Sequence, residues 1–312
     1  MIAILGSGFG LYGYLPALAG GCGQTVLLPE RYRTTFAQRP ELAGYSEQIC
    51  WCADDGEALD RADGVVIAQR PLDQATWIPL CLQRPNIQRL LLEKPLAHTP
   101  ERAAELLADL NASGRIFRLN YSFAHLSWRE VLRTALQGPV QIDWQFCAHH
   151  FRTGLDTWKR HHAVGGGVLR FYGIHLIALL AELGYDDVAE SYASGANADE
   201  PAQWSAVFTG PNVADCAVHI DSHAQGTSFR IDSVQSDGCV KPLVNLTDPF
   251  DAEPPSVDGL DRRVPVLTRL CLNLLQPLAQ PSDGYDASIR LWQTVEDRTQ
   301  VREGGHRAEK GH

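Results

Sequence analysis

The sequence predicts an α/β fold in two parts: a doubly wound parallel sheet at the N-terminus, then an α+β domain with a mostly antiparallel, open sheet. Three observations carry this expectation. Over residues 1–121 short apolar runs alternate with helical stretches, the order that a parallel sheet needs for its crossover connections. Beyond Tyr121 the strand-like runs lengthen and alternate apolar with polar residues, as in a sheet with one wet face. At 312 residues the chain exceeds the size at which single cores stop growing, so a division into residues 1–121 and 122–312 is expected.

The elements follow in order. Ile2–Leu5 is an apolar run that ends at Gly6 and gives way to a helical stretch rich in Leu, Ala and Tyr. Residues 25–28 form a second strand ending at Pro29-Glu30-Arg31, and Ile49–Cys52 a third. A fourth spans residues 64–68, followed by a helix over residues 73–83, and Arg89–Leu92 is a fifth. Thr99-Pro100-Glu101 reads as a helix start, with a capping hydroxyl, a proline suited to the first turn and an acid suited to the dipole. That helix is expected to run to Ser113 and stop at Gly114, with residues 116–121 closing the first domain as a sixth strand. The second domain offers strands at 140–148, 204–208, 217–220 and 227–232, and helices at 127–136, 174–183, 266–275 and 287–296. Pro and Asp mark residues 247–261 as a loop, and the polar tail over residues 303–312 is expected to fray.

Composition narrows the partners. Hydrophobic residues make up 45% and charged residues 21%, so a sizeable core can form. A net charge of −10 disfavours nucleic acid, whose binding draws on clustered Lys and Arg, and favours a small-molecule ligand. No run of about 18 apolar residues exists to span a membrane, and Met1-Ile-Ala-Ile-Leu enters the first turn without a basic leader, so a cytoplasmic protein is expected. The eight cysteines lack the paired spacing of a zinc site, and no metal is expected. His149-His150 and His161-His162 are adjacent pairs that would face opposite sides of a strand, and they are placed near the substrate cleft with Trp158 and Lys159. Trp128, Trp144 and Trp204 are assigned to the core.

Gly6-Ser7-Gly8-Phe9-Gly10-Leu11 stands between a strand and a helix, the context of a dinucleotide-binding Rossmann turn. Gly6 permits the tight turn, and Gly8 lets a pyrophosphate approach the backbone at the positive end of the helix. Leu11 occupies the usual third-glycine position, with Gly10 and Gly13 on either side. Glu30, at the end of the second strand, is placed to accept from a ribose diol, which favours NAD. Arg31 and Arg33 beside it suit a 2′-phosphate, so NADP stays open.

Glu93-Lys94-Pro95 follows the fifth strand, and in an open parallel sheet ligands lie at the carboxyl ends of strands. Together with the glycine turn, the Arg70-Pro71 strand end and Leu96-Ala97, this turn resembles the glucose-fructose oxidoreductase / inositol dehydrogenase / rhizopine-catabolism family. Asn120-Tyr121-Ser122-Phe123 is similar to the family's domain-crossing segment, which often has Arg at position 122. Trp158-Lys159-Arg160 and Gly165-Gly166-Gly167-Val168-Leu169 resemble the lead into its substrate helix. There the family carries an Asp, a Gly and a His, whereas this chain reads Phe171, Gly173 and His175. The resemblance thus implies Lys94 and His175 as catalytic groups and leaves the carboxylate position occupied by Phe171. His175 suits acid-base work because imidazole titrates near neutrality, Lys94 can stabilise a developing alkoxide, and Tyr172 is a further donor.

The expectation is an enzyme that moves a hydride between NAD(P)(H) and a carbinol or carbonyl on a sugar, polyol or nucleotide-linked sugar. Two alternatives share the scaffold: a non-catalytic dinucleotide-binding regulator, and a reductase of a non-sugar carbonyl or imine. The open sheet of the second domain is expected to pack on another copy, giving a homodimer or homotetramer.

Overall fold

The computed structural model describes residues 1–252, 259–276 and 284–303. The chain forms two compact units: Met1–Ala97, Arg102–Leu126 and Phe250–Tyr285 make the first, and His98–Glu101, Ser127–Pro249 and residues from Asp286 onward the second.

The first unit is built on a six-stranded parallel sheet of β1 (Ile2–Leu5), β2 (Val26–Pro29), β3 (Ile49–Cys52), β4 (Gly64–Ile67), β5 (Arg89–Leu92) and β6 (Ile116–Leu119). Their order, β3-β2-β1-β4-β5-β6, reverses direction of winding between β1 and β4, the switch point at which such sheets bind ligands. The central strand β1 and its neighbours β2 and β4 are apolar along their whole length because both faces are covered: every one of their residues is buried. After β1 the chain coils through wide turns at Gly10–Tyr14 and Pro16–Gly21, each closing on the residue five positions on rather than as a regular α-helix. The Asp55–Arg61 helix, absent from the sequence expectations, is capped reciprocally by Asp54 on the Glu57 N–H (2.9 Å) and by Glu57 on the Ala53 N–H (2.6 Å).

One element departs from the expected single boundary between residues 121 and 122. The Val264–Leu275 helix returns to the first unit, where Leu267, Leu270, Cys271 and Leu274 pack in one core with Ile2, Ile4, Leu15 and Leu18. Recurrence at three and four residues gives this helix one apolar stripe, and each buried Leu contributes about 1.5–3 kcal/mol. No local signal in the helix says which sheet that stripe will cover.

The second unit holds a seven-stranded sheet ordered β12-β11-β7-β10-β9-β8-β13. Its strands are β7 (Val140–Cys147), β8 (Asp187–Gly195), β9 (Pro201–Gly210), β10 (Val213–Asp221), β11 (His223–Val234), β12 (Val240–Leu246) and β13 (Thr299–Glu303). Pairing is mostly antiparallel, but β7 with β10 and β8 with β13 run parallel. Trp204, Phe208, Ile220, Phe229 and Ile231 are fully buried. The opposite face of β7 to β10 forms an open cavity of about 320 Å³ lined by polar and small residues, including Gln141, Glu190, Ser205 and His219.

The sequence expectations omit β8, β12 and β13. A register shift between Val188 and Glu190 breaks the apolar alternation of β8. Strands β12 and β13 are the two edges of the sheet, where polar residues and Pro242 are tolerated. Of the loop expected at 247–261, residues 253–258 lie outside the described residues, as does the tail from residue 304. Among the described residues no helix is long and apolar enough to cross a membrane.

Candidate cofactor and substrate sites

The glycine turn of the first unit is shaped by close approach on one side and open space on the other. Gly6 sits at φ +138°, and a Cβ there would lie 2.3 Å from the Ala68 carbonyl oxygen at the end of β4. Gly8 is exposed, and among the described residues a Cβ there would meet no atom beyond its chain neighbours within 4 Å. A Cβ on Gly10 would come within 2.7 Å of Ile4 Cγ2, so Gly10 provides the tight contact between helix and strand expected one residue later. Leu11 is therefore a core residue, 0% exposed, and its N–H donates to the Gly8 carbonyl at 2.9 Å. The Phe9 ring turns inward under the Arg263 guanidinium at 4.2 Å, with Tyr12 and Tyr14 against its edges. Asp261 pairs with Arg263 through two 2.8 Å bonds; burial disfavours the guanidinium charge, but this carboxylate outweighs burial and keeps Arg263 firmly protonated.

At the end of β2 the two predicted coenzyme-selecting groups part company. Glu30 is exposed and pairs with Arg33, whose bonds hold the carboxyl below its usual range, and the Arg33 guanidinium lies 4.4 Å over Trp51. Arg31 pairs with Asp55 and donates to the Tyr32 hydroxyl at 2.9 Å. That hydroxyl also accepts from the Gly6 N–H at 2.9 Å, which links Arg31 to the glycine turn.

The turn after β5 is held by a buried side chain from the Pro71–Leu82 helix. Gln74, 0% exposed, accepts from the Glu93 N–H (2.8 Å) and donates to the carbonyls of Glu93 (2.7 Å) and Leu96 (3.0 Å). The Glu93 carboxylate accepts from Tyr14 Oη at 2.5 Å and from Asn120 Nδ2 at 2.8 Å. Burial and then the Glu93 charge hold the Tyr14 phenol well above its usual range, so it stays protonated and donates. Lys94, joined to Pro95 by a cis peptide, is half-buried on this clamped turn. Arg70 is exposed at the start of the helix and Pro71 occupies its first turn.

In the second unit the glycine-rich segment feeds a wide turn, Val168–Gly173, and then the Ile174–Glu182 helix. Gly173 allows Trp204 to approach within 2.9 Å of where its Cβ would lie. His175 is 7% exposed in the first turn of that helix, whereas Phe171 and Tyr172 are half-buried and meet edge to face at 4.8 Å. Arg170 anchors the turn: it donates to Glu296 (2.8 and 3.2 Å) and to the carbonyls of His98 (2.7 Å) and His162 (3.0 Å). Glu296 also accepts from His162 (3.1 Å) and Trp292 (2.8 Å). Burial alone would raise its pKa, but the hydrogen bonds from His162 and Arg170 outweigh that and bring it to about 2. Neither histidine pair lies in a strand: His149, His150 and His162 are in short helical turns, and His161, in the extended link before His162, is held by Asp156 (2.6 Å) and Asp199 (2.9 Å).

Neither a family model nor a curated protein sequence matches the chain. Solved structures do. KijD10, a 3-ketoreductase from Actinomadura kijaniata in complex with NADP and TDP-benzene, superposes with a TM-score of 0.67 at 15% identity, over 97% of this chain and 99% of that one. The WlbA dehydrogenase from Thermus thermophilus, in complex with NAD and UDP-GlcNAcA, gives 0.68 at 16%, over 97% and 96%. A super-repressor mutant of Gal80p from Saccharomyces cerevisiae gives 0.69 at 12%, over 95% and 93%. The chain has the fold of the glucose-fructose oxidoreductase and inositol dehydrogenase type. At these identities the likeness is one of fold.

On this fold, Gly6, Ser7, Gly8, Gly10, Arg70 and the Glu93-Lys94 turn all stand at the carboxyl ends of β1, β4 and β5. Tyr14, Tyr32, Gln74 and Arg263 support them and escaped the sequence analysis, because each meets Glu93, Gly6 or Phe9 from a distant part of the chain; Asn120 was read there only as part of the domain-crossing segment. The residues present fit a dinucleotide: backbone at Gly8 is open to a ligand, and Asn120 Oδ1 is buried beside the Glu93 turn without a hydrogen bond.

Proposed function

We propose that the chain is an NAD(P)(H)-dependent oxidoreductase of the glucose-fructose oxidoreductase / inositol dehydrogenase family, acting on a carbinol or carbonyl of a sugar, polyol or nucleotide-linked sugar. The observation that carries this reading is the pairing of an open Gly8 backbone with a reactive-lysine turn clamped at four backbone atoms by Gln74, both on the ligand-binding edge of one sheet. A dinucleotide bound there supplies or takes the hydride. Residues 1–121 then serve chiefly the coenzyme and residues 122–312 the substrate. Lys94 is the group that stabilises the developing alkoxide and His175 the group that exchanges its proton, with Tyr172 as an accessory donor.

Phe171 at the usual carboxylate position favours carbonyl reduction over oxidation of a hydroxyl, since no carboxylate stands at that position to take the alcohol proton. Coenzyme choice falls between Glu30, which suits the ribose of NAD, and Arg31, which suits the 2′-phosphate of NADP. The open face of the second sheet suits association into a homodimer or homotetramer. Support for the fold comes from KijD10 and WlbA; Gal80p supports a regulator on the same scaffold. Fluorescence titration with NADH and NADPH, followed by turnover of a carbonyl panel with the tighter binder, tests the reading. Tight coenzyme binding with no turnover of any carbonyl would favour the regulator, and no binding of either coenzyme would sink both.

A further inference from the structure

Strands β2 and β3 lie side by side with Pro29 opposite Cys52, so the residues that follow them, Glu30-Arg31 and Asp54-Asp55, leave the same edge of the sheet. At this edge a Rossmann sheet receives the adenosine ribose, and an arginine here accommodates the 2′-phosphate of NADP. Arg31 and Arg33 are the arginines that follow β2, and both are already matched. Arg33 pairs with Glu30, with one bond at 2.9 Å, and each partner keeps about half of its side chain exposed. Arg31 is held differently. Its two terminal nitrogens each meet one oxygen of Asp55, Nη2 at 2.7 Å, and Nη2 also donates to Tyr32 Oη at 2.9 Å. The Asp55 side chain is only 14% exposed against 52% for Arg31, so the carboxylate is packed in place while the guanidinium meets solvent.

Charge decides what this pair can receive. Burial raises the Tyr32 phenol above its usual range, so it stays neutral and leaves the pair of Arg31 and Asp55 without net charge. Glu30, Asp54 and Asp55 outnumber Arg31 and Arg33, so these residues carry no surplus positive charge. A 2′-phosphate approaching Arg31 would be attracted by the guanidinium and repelled by the carboxylate bonded to it, and the two effects offset. A ribose 2′-hydroxyl meets no such conflict, because it can donate to a carboxylate and accept from a guanidinium.

We propose that Asp55 is a coenzyme-selecting residue: by neutralising Arg31 it sets the chain for NAD(H) and against NADP(H). The assignment rests on the dinucleotide reading above. To Glu30 at the end of β2 it adds a second carboxylate, supplied from the end of β3.

Fluorescence titration of the whole protein with NADH and NADPH reads the ratio of the two dissociation constants. The unmodified chain is expected to bind NADH more tightly. Asp55→Asn keeps the shape and removes the charge, so the ratio is expected to move toward NADPH by about tenfold or more, with the gain shrinking as salt rises. Combining Arg31→Ala with Asp55→Asn is expected to remove the gain, which loosened packing alone would not do. Asp55→Ser serves if the asparagine variant does not fold. Tighter binding of NADPH by the unmodified protein, a ratio unmoved by loss of the Asp55 charge, or a gain that survives the loss of Arg31 each overturns the assignment and leaves the dinucleotide reading standing. Binding of neither coenzyme by any of these proteins tells against that reading, and the assignment falls with it.

Discussion

At the scale of single residues, the glycine turn separates folding from binding. Gly6→Ala places a methyl group 2.3 Å from a backbone oxygen at a φ of +138°, so it is expected to cost at least about 1–3 kcal/mol, read as a lower midpoint in urea unfolding. Gly8→Val starts from a Cβ position with no atom of the described residues beyond its chain neighbours within 4 Å, so stability is expected to hold while NADH binding is lost. Normal NADH affinity in that variant would remove the assignment of the turn. For the chemistry, Lys94→Ala and His175→Ala are each expected to lower turnover by about 10²-fold with little change in coenzyme affinity, checked by steady-state kinetics beside coenzyme titration. Wild-type rates in both would show that the acid-base groups lie elsewhere. The placement of Gly6, Gly8 and Lys94 in turns at strand ends was legible in the sequence because such turns impose local rules. The contacts of Tyr14 and Asn120 were not, since nothing near them in the chain points to Glu93, 79 and 27 residues away.

Elements carry these residues, and two clamps fix them. Gln74 holds the turn at the Glu93 N–H and at the Glu93, Pro95 and Leu96 carbonyls, so Gln74→Ala removes these bonds and leaves the Glu93 N–H with its longer 3.3 Å bond to the Ile67 carbonyl. A stability loss of about 1–3 kcal/mol is expected, together with a fall in turnover as Lys94 loses its fixed turn. A variant with unchanged turnover would show that Gln74 does not position the lysine. The second clamp joins the Tyr285–Arg298 helix to the turn before His175 through Glu296. Its folded pKa, about 2, lies below the usual 4.5, so its stabilisation is fully present above pH 4.5 and is lost as pH falls toward 2. Glu296→Gln is expected to lower stability at pH 7 and to flatten the decline between pH 4.5 and 2, measured by chemical denaturation across that range. An unchanged acid limb would separate Glu296 from acid unfolding. Sequence periodicity found most strands and the helices at 174–182 and 264–275, because burial on one side leaves a repeat. It lost β8 to a bulge and the two edge strands to their polarity.

Across the whole molecule, each unit is assembled from separated stretches of chain. The first unit is completed by Phe250–Tyr285, whose Leu267, Leu270 and Leu274 are at most 1% exposed in its core. A fragment of residues 1–126 is therefore expected to remain loosely packed, whereas the same fragment joined to residues 250–285 regains a cooperative thermal transition by circular dichroism. Cooperative unfolding of the short fragment would show that the Val264–Leu275 helix is dispensable. Composition and strand order were enough to read two layers of architecture, but the address of that late helix is a property of shape matching between distant surfaces. Its late place in the chain also sets a timetable. On the ribosome, at roughly 5–20 residues per second, the apolar face that this helix covers waits on the order of ten seconds between the emergence of Leu126 and that of Leu275. The nascent chain thus presents Leu15, Leu18 and their neighbours to the cell before their cover exists, which makes this protein a natural client for chaperones that bind growing chains.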